Sequence, residues 1–127
     1  MEFQKLLEKI TSVKSYSSKK PAIEDIIKAI GAANLAPTAA NLQPLIYIIV
    51  ETPEKIAKIA DACQQSFVGQ VKYIIVVCSS PDRITNAYGD TGKVFARQQA
   101  GATIENFLLK IEEKKLATCW IGYFSEK

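Results

Sequence analysis

Three stretches of this chain carry residue types that could hold a ligand: Ser12-Val13-Lys14, Ala36-Pro37-Thr38-Ala39-Ala40-Asn41-Leu42-Gln43-Pro44, and Thr118-Cys119-Trp120-Ile121-Gly122. In the middle stretch two prolines fix φ at either end. Thr38 and Asn41 offer a hydroxyl and an amide there, and Ala39 and Ala40 leave backbone N–H groups uncovered. Taken alone, it is also an ordinary helix-to-strand connection, with Asn41 bonding its own backbone in an Asx-turn. The company of the other two stretches tips the balance toward a site. The chain has no histidine, which removes the usual general base, the Ser-His and Cys-His pairs and the commonest metal ligand together. Cys63, Cys78 and Cys119 are far apart, odd in number and without a C-x-x-C pair, so they suggest neither a disulfide framework nor a zinc site. Their apolar neighbours predict buried thiols. Any chemistry must therefore be carried by something bound, and a cofactor is the natural carrier.

The elements that must position these stretches follow from hydrophobic period. Phe3, Leu6, Leu7 and Ile10 mark the stripe of a first amphipathic helix, after which residues 12–16 read as an extended loop. A second helix is expected from about Ala22 to Asn34, with Pro21 near its start, Ile23, Ile26, Ile27 and Ile30 on one face and acids at the N-terminal end of its dipole. Pro37 ends it. Leu45 to Glu51 reads as a central strand covered on both faces. Thr52 and Pro53 then open a helix with Ile56, Ile59 and Ala60 on its apolar side. Tyr73 to Cys78 repeats the buried-strand signature, Ser79 to Thr91 reads as a long mobile loop containing Pro81, and a long helix runs from Gly92 or Val94 to Lys115. The first half of that helix is small and amide-rich, which predicts an interhelical contact within one subunit or between two. Ala117 to Phe124 reads as a third strand.

With 127 residues, 48% hydrophobic and 23% charged, the chain is one domain, residues 1–127, and too apolar to be disordered. The net charge of +3 comes from scattered lysines rather than a basic stripe, which argues against nucleic acid. No apolar run reaches the roughly 18 residues of a membrane span, and the N-terminus with Glu2 does not read as a signal peptide. A cytoplasmic location is the default expectation.

The order of these parts resembles the FMN-dependent nitroreductase family over nearly the whole chain. The resemblance is carried by Ile10-Thr11-Ser12-Val13-Lys14, Ala36 to Leu45, Gln65-Ser66-Phe67-Val68, Gln98-Gln99-Ala100-Gly101-Ala102 and Ala117 to Phe124. Members typically show these as R-x-S-x-R/K, A-P-S-x-x-N-x-Q-P-W, Q-x-F-V, Q-D-A-A-A and G-T-C-W-I-G-x-F. Any one match is weak. All of them in the same order are strong.

The resemblance implies an α+β fold, a mixed and mainly antiparallel sheet flanked by helices, in a homodimer with FMN at the subunit interface. NADH or NADPH would supply a hydride and a nitroaromatic, quinone or similar small molecule would take the electrons in turn, with no role for nucleic acid or membrane. Lys14 matches the cation near the flavin N1/O2 edge, and Ser12 a hydroxyl at its phosphate or ribityl end; the plain alternatives are a solvated lysine and a turn serine. Pro37, Thr38, Ala39 and Asn41 match the turn that reaches the flavin from the other subunit. Gln65 matches an amide at the polar rim, although a helix C-cap serves equally. Ile121, Gly122 and Tyr123 match the strand end facing flavin N5, where a glycine permits close approach.

Three positions depart from the pattern: Ile10 stands for a phosphate-binding arginine, Leu45 for a tryptophan and Gln99 for an aspartate. The sequence ends at Lys127, where family members continue into elements that bring further phosphate ligands and a partner-packing segment, so the chain reads as a C-terminally short member or a fragment. These departures carry the rival expectation, a shortened, cofactor-free protein of the same fold acting as an interaction module or standing as a non-catalytic relic.

Overall fold

The computed structural model describes residues 1–43, 45–80 and 82–126. Pro44, the second bracket of the small-residue turn, Pro81 and Lys127 lie outside the described residues. In chain order the elements are α1 (Phe3–Lys9), α2 (Ile23–Ala33), β1 (Leu45–Val50), α3 (Pro53–Cys63), β2 (Ile74–Ser79), α4 (Asp82–Tyr88) and α5 (Asp90–Glu113), with 3₁₀ turns at Ala39–Asn41 and Ser66–Gln70. No helix among the described residues is long and apolar enough to cross a membrane.

The centre is the contact of α2 with α5. On α2 the buried residues are Ile26, Ala29 and Ala33, and on α5 they are Gly92, Ala96, Gln99 and Thr103, spaced at three to four residues, with Ile111 two turns further on. Small residues on both helices let the backbones approach closely, so the small, amide-rich half of α5 is an interhelical contact within one subunit. The carbonyl of Ile84, which is fully buried, meets α5 at Gly92.

β1 and β2 pair antiparallel, from Leu45 opposite Ser79 to Val50 opposite Ile74. The expectation of a central strand covered on both faces is corrected here. Among the described residues the sheet has two strands, and Ile46 and Ile48 are 56% and 48% exposed. An unbroken apolar run says that both faces want cover; it does not say whether the chain supplies it. α3 starts as expected, with Thr52 at the N-cap and Pro53 in the first turn, although the Thr52 side chain makes no capping bond. It stops where Gln64 turns left-handed at φ 56°.

Three further expectations are corrected. The loop over Ser79–Thr91 contains α4, which has a single buried apolar anchor, Ile84, and therefore shows no readable period. Gly89, at φ +64°, then turns the chain into α5. The segment Ala117–Phe124 is not a strand: it is extended, but its one ladder contact is an isolated parallel bridge between Ser12 and Thr118. Finally, Cys63 is buried, whereas Cys78 and Cys119 are only half-buried.

Candidate functional site

After α1 the chain runs extended, and the Val13 N–H donates to the Thr118 carbonyl at 2.9 Å. This bond draws the Ser12-x-Lys14 loop against the Thr118-Cys119-Trp120 stretch, two segments more than a hundred residues apart. Between them lies a cavity of about 250 Å³ lined by Ile10, Thr11, Ser12, Thr118, Cys119 and Trp120, with Glu105 and Leu108 of α5 behind. Ser12 and Lys14 are both exposed. Tyr16 braces the loop from beneath. Its hydroxyl donates to the Val13 carbonyl and its N–H to the Gln70 side chain at 3.3 Å.

Burial, with Cys119 alongside, pushes the Tyr16 phenol from its ordinary 10.0 up to about 12. A pKa raised on folding contributes stability that is fully present below the unfolded value and lost as pH climbs through the folded one. Stability should therefore fall between about pH 10 and 12 in wild type, and Tyr16→Phe should flatten that limb in urea titrations at stepped pH. An equally steep limb in the variant would assign the loss to other groups.

From Trp120 the chain continues past α3. Ile121 packs on the cluster of Ala60, Cys63 and Val68, and the Ser125 N–H donates to the Ala62 carbonyl at 2.8 Å. At Gly122 an added Cβ would meet nothing within 4 Å, so the backbone here is open to an approaching ligand. Tyr123 is 72% exposed. Gln65 is half-buried and lines an open groove of about 480 Å³ with Ala57, Asp61, Gln64, Ser66 and Gly69. The structure thus brings Ser12 directly to Thr118 and ties Ile121 and Ser125, on either side of Gly122, to α3, beside which Gln65 lies.

The turn Pro37-Thr38-Ala39-Asn41 is held elsewhere, by α5. Gln99 of that helix accepts the Ala39 N–H at 3.0 Å and donates to the Leu42 carbonyl at 3.0 Å. Pro37 and Asn41 face solvent, while Thr38 and Ala39 are half-buried. Ala40 and Asn41 both take positive φ, 50° and 57°. Sequence reasoning missed two residues here, Tyr16 and Gln99. For Gln99 the available signal was a polar amide inside a stripe of alanines and glycines.

The sequence model of the Nitroreductase family matches residues 7–70 and 61–127. This chain belongs to the nitroreductase family. A protein of Archaeoglobus fulgidus, provisionally named an NADH dehydrogenase/NAD(P)H nitroreductase, is 30% identical over 124 residues, which cover 97% of this chain and 68% of that one. The solved structure of a nitroreductase family protein from Clostridium novyi NT superposes with a TM-score of 0.89 at 25% identity, covering 99% of this chain and 72% of that one. The NADPH:FMN oxidoreductase of Vibrio harveyi, solved in complex with NAD+, shares the fold with a TM-score of 0.82 at 20% identity, over 94% of this chain and 55% of its own. The nitroreductase α+β fold is therefore that of this chain.

Proposed function

We propose that this nitroreductase-family protein is an FMN-dependent oxidoreductase that draws on NADH or NADPH and reduces a nitroaromatic, a quinone or a similar small acceptor, working as a homodimer. The observation that carries this reading is the bond from Val13 to Thr118, which joins the two segments that the family resemblance assigns to one flavin. The donor chemistry fits such a group. A hydroxyl at Ser12, an ammonium at Lys14, an amide at Gln65 and uncovered backbone at Gly122 lie on the connected loop, strand-end and α3 surfaces. Thr38 and Asn41 would come from the second subunit.

The redox chemistry, uptake of a hydride from a nicotinamide and its return as two electrons to an acceptor, is what a bound FMN supplies. This chain's residues bind and bias. Ser12 would donate to the polar end of the ligand. Lys14 would favour the negative charge that reduction adds. Gln65 would satisfy polar atoms at the ligand's rim, and the Ile121-Gly122-Tyr123 backbone would lie against it. No histidine is called on. In this reading the nicotinamide would leave before the acceptor enters, so that one site would serve both.

Lys14→Met should lower the midpoint potential of FMN-loaded protein, by roughly 30 mV if the cation is worth tenfold in a two-electron equilibrium. The sign follows from charge, because a lost cation disfavours the reduced, more negative ring. Spectroelectrochemistry would read it, and an unmoved midpoint would make Lys14 a solvated loop residue.

Anaerobic addition of NADH or NADPH to FMN-loaded protein tests the activity itself. Bleaching of the visible flavin band, followed by its return on adding a nitroaromatic or quinone, is the expected result. Failure to bleach with either nucleotide would overturn the reading. The cofactor-free alternative is favoured by Ile10, an apolar residue lining the Ser12 cavity where the resemblance has an arginine. Absence of any bound flavin after incubation with FMN would select it.

A further inference from the structure

We propose that Gln99 is a positioning residue that sets the ligand-facing turn Pro37–Asn41 by gripping it at both ends. The proposal rests on the flavin reading of that turn. Its starting point is a backbone that would not hold its shape unaided. Ala40 lies at φ 50°, ψ 32° and Asn41 at φ 57°, so two successive residues are left-handed. Asparagine tolerates this region; alanine does not favour it. Such conformations persist where the surroundings over-determine them.

Among the described residues, one side chain bonds to both ends of this turn. Gln99 is 6% exposed, and its amide spans the turn, with Oε1 accepting from the Ala39 N–H and Nε2 donating to the Leu42 carbonyl, both at 3.0 Å. The Leu42 N–H closes the same loop onto the Ala39 carbonyl at 2.9 Å. The orientation of the amide is fixed, because the N–H at 39 needs an acceptor and the carbonyl at 42 needs a donor. A carboxylate of the same length could satisfy the first bond and would oppose the second. The two-sided grip is thus specific to an amide, and it leaves Thr38 and Asn41, which make none of these bonds, free to face a ligand.

The turn's own residues carry no ionisable side chain. The buried positions of α2, which packs on α5, are Ile26, Ala29 and Ala33. Among the nearby charges, Glu24, Lys28, Lys93 and Arg97 are exposed and Asp25 is half-buried. A carboxyl placed at 99 would therefore sit among apolar groups and against a carbonyl oxygen, both of which raise its pKa above the ordinary value of about 4.3.

Gln99→Glu provides the discriminating variant. Protonated, its carboxyl accepts from Ala39 and donates to Leu42, restoring the clamp; ionised, it loses the second bond. FMN affinity of Gln99→Glu, followed by fluorescence quenching at stepped pH, should approach that of wild type at acid pH. It should weaken about tenfold as pH rises through the new carboxyl's pKa, while wild type stays level over the same range. Gln99→Leu should be weak throughout. Hydrogen exchange at the Leu42 amide, which closes the turn onto the Ala39 carbonyl, should speed up beyond its intrinsic base-catalysed rise in step, with the remaining α5 amides unchanged.

A Gln99→Glu protein that stays folded and binds FMN as wild type does at every pH would overturn the positioning role. Should Gln99→Leu fail to fold, the glutamate variant decides alone, since its two protonation states share one fold and one sequence. Should wild type bind no flavin, the flavin reading falls and the role toward it falls too. Slow Leu42 exchange lost in Gln99→Glu at high pH would then still identify the clamp, so the two failures are told apart.

Discussion

Gly92→Ala should lower the melting temperature by about 8 °C, and Gly101→Ala, nine residues further along the same helix, should raise it. A Cβ at Gly92 would lie 2.5 Å from the Ile84 carbonyl oxygen, 2.7 Å from its carbon and 2.9 Å from its Cγ2. The first two are backbone atoms and cannot rotate away. α4 would have to lift from α5, uncovering Ile84, which is fully buried. Such overpacking costs about 3 kcal/mol. Alanine recovers about 1 kcal/mol of helix propensity, which leaves a net loss of about 2 kcal/mol. At Gly101 a Cβ meets nothing within 4 Å, so only the propensity gain remains. Thermal melts followed by circular dichroism would compare the two. Equal shifts of one sign would mean that the α4–α5 contact is looser than described.

That contact shows where reading the chain succeeded and where it stopped. α2 and α3 were legible because each carries enough apolar residues to display a period, α5 because its long run is unbroken by proline, and β1 and β2 because their β-branched runs leave no other element of that length. α4 was not. One buried isoleucine in D-R-I-T-N-A-Y has no period, and it folds because Gly92 offers it a seat that only the tertiary structure reveals. Ala117–Phe124 fails differently: its residues suit a strand, but among the described residues it has no strand beside it apart from one bridge to Ser12, and pairing is not a property of the segment itself. For the site, the order of short motifs was legible. The hold of Gln99 on Ala39 was not, since it crosses 60 residues of sequence.

Ile10→Arg should tighten FMN about tenfold and leave riboflavin nearly unchanged. Ile10 lines the same cavity as Ser12, at the position where the resemblance has a phosphate-binding arginine. One regained charge-assisted contact of about 1.4 kcal/mol corresponds to that factor. Riboflavin has no phosphate and serves as the control. Ile10, which follows α1, is half-buried, so an arginine there could harm packing, but damage would weaken both ligands alike. Glu105, which lines the cavity too, gives the new guanidinium a carboxylate to lean on and limits that damage. Fluorescence-quenching titrations of both flavins against both proteins would decide. Equal changes for the two ligands would remove phosphate recognition from position 10.

The central claim is that one flavin is held by the Ser12–Lys14 loop and the Thr118–Tyr123 segment of one subunit together with the Pro37–Asn41 turn of another. Exposed apolar side chains on α1, α2 and β1, among them Phe3, Leu7, Ile27, Ile46 and Ile48, supply surface for such an association. Sedimentation velocity on FMN-incubated protein, recorded at the flavin's visible band and at the protein's ultraviolet band together, tests both halves of the claim. The expected result is visible absorbance moving with a species of twice the 14.0 kDa chain mass. Protein sedimenting as a 14.0 kDa monomer while the visible absorbance stays behind as free flavin would contradict it.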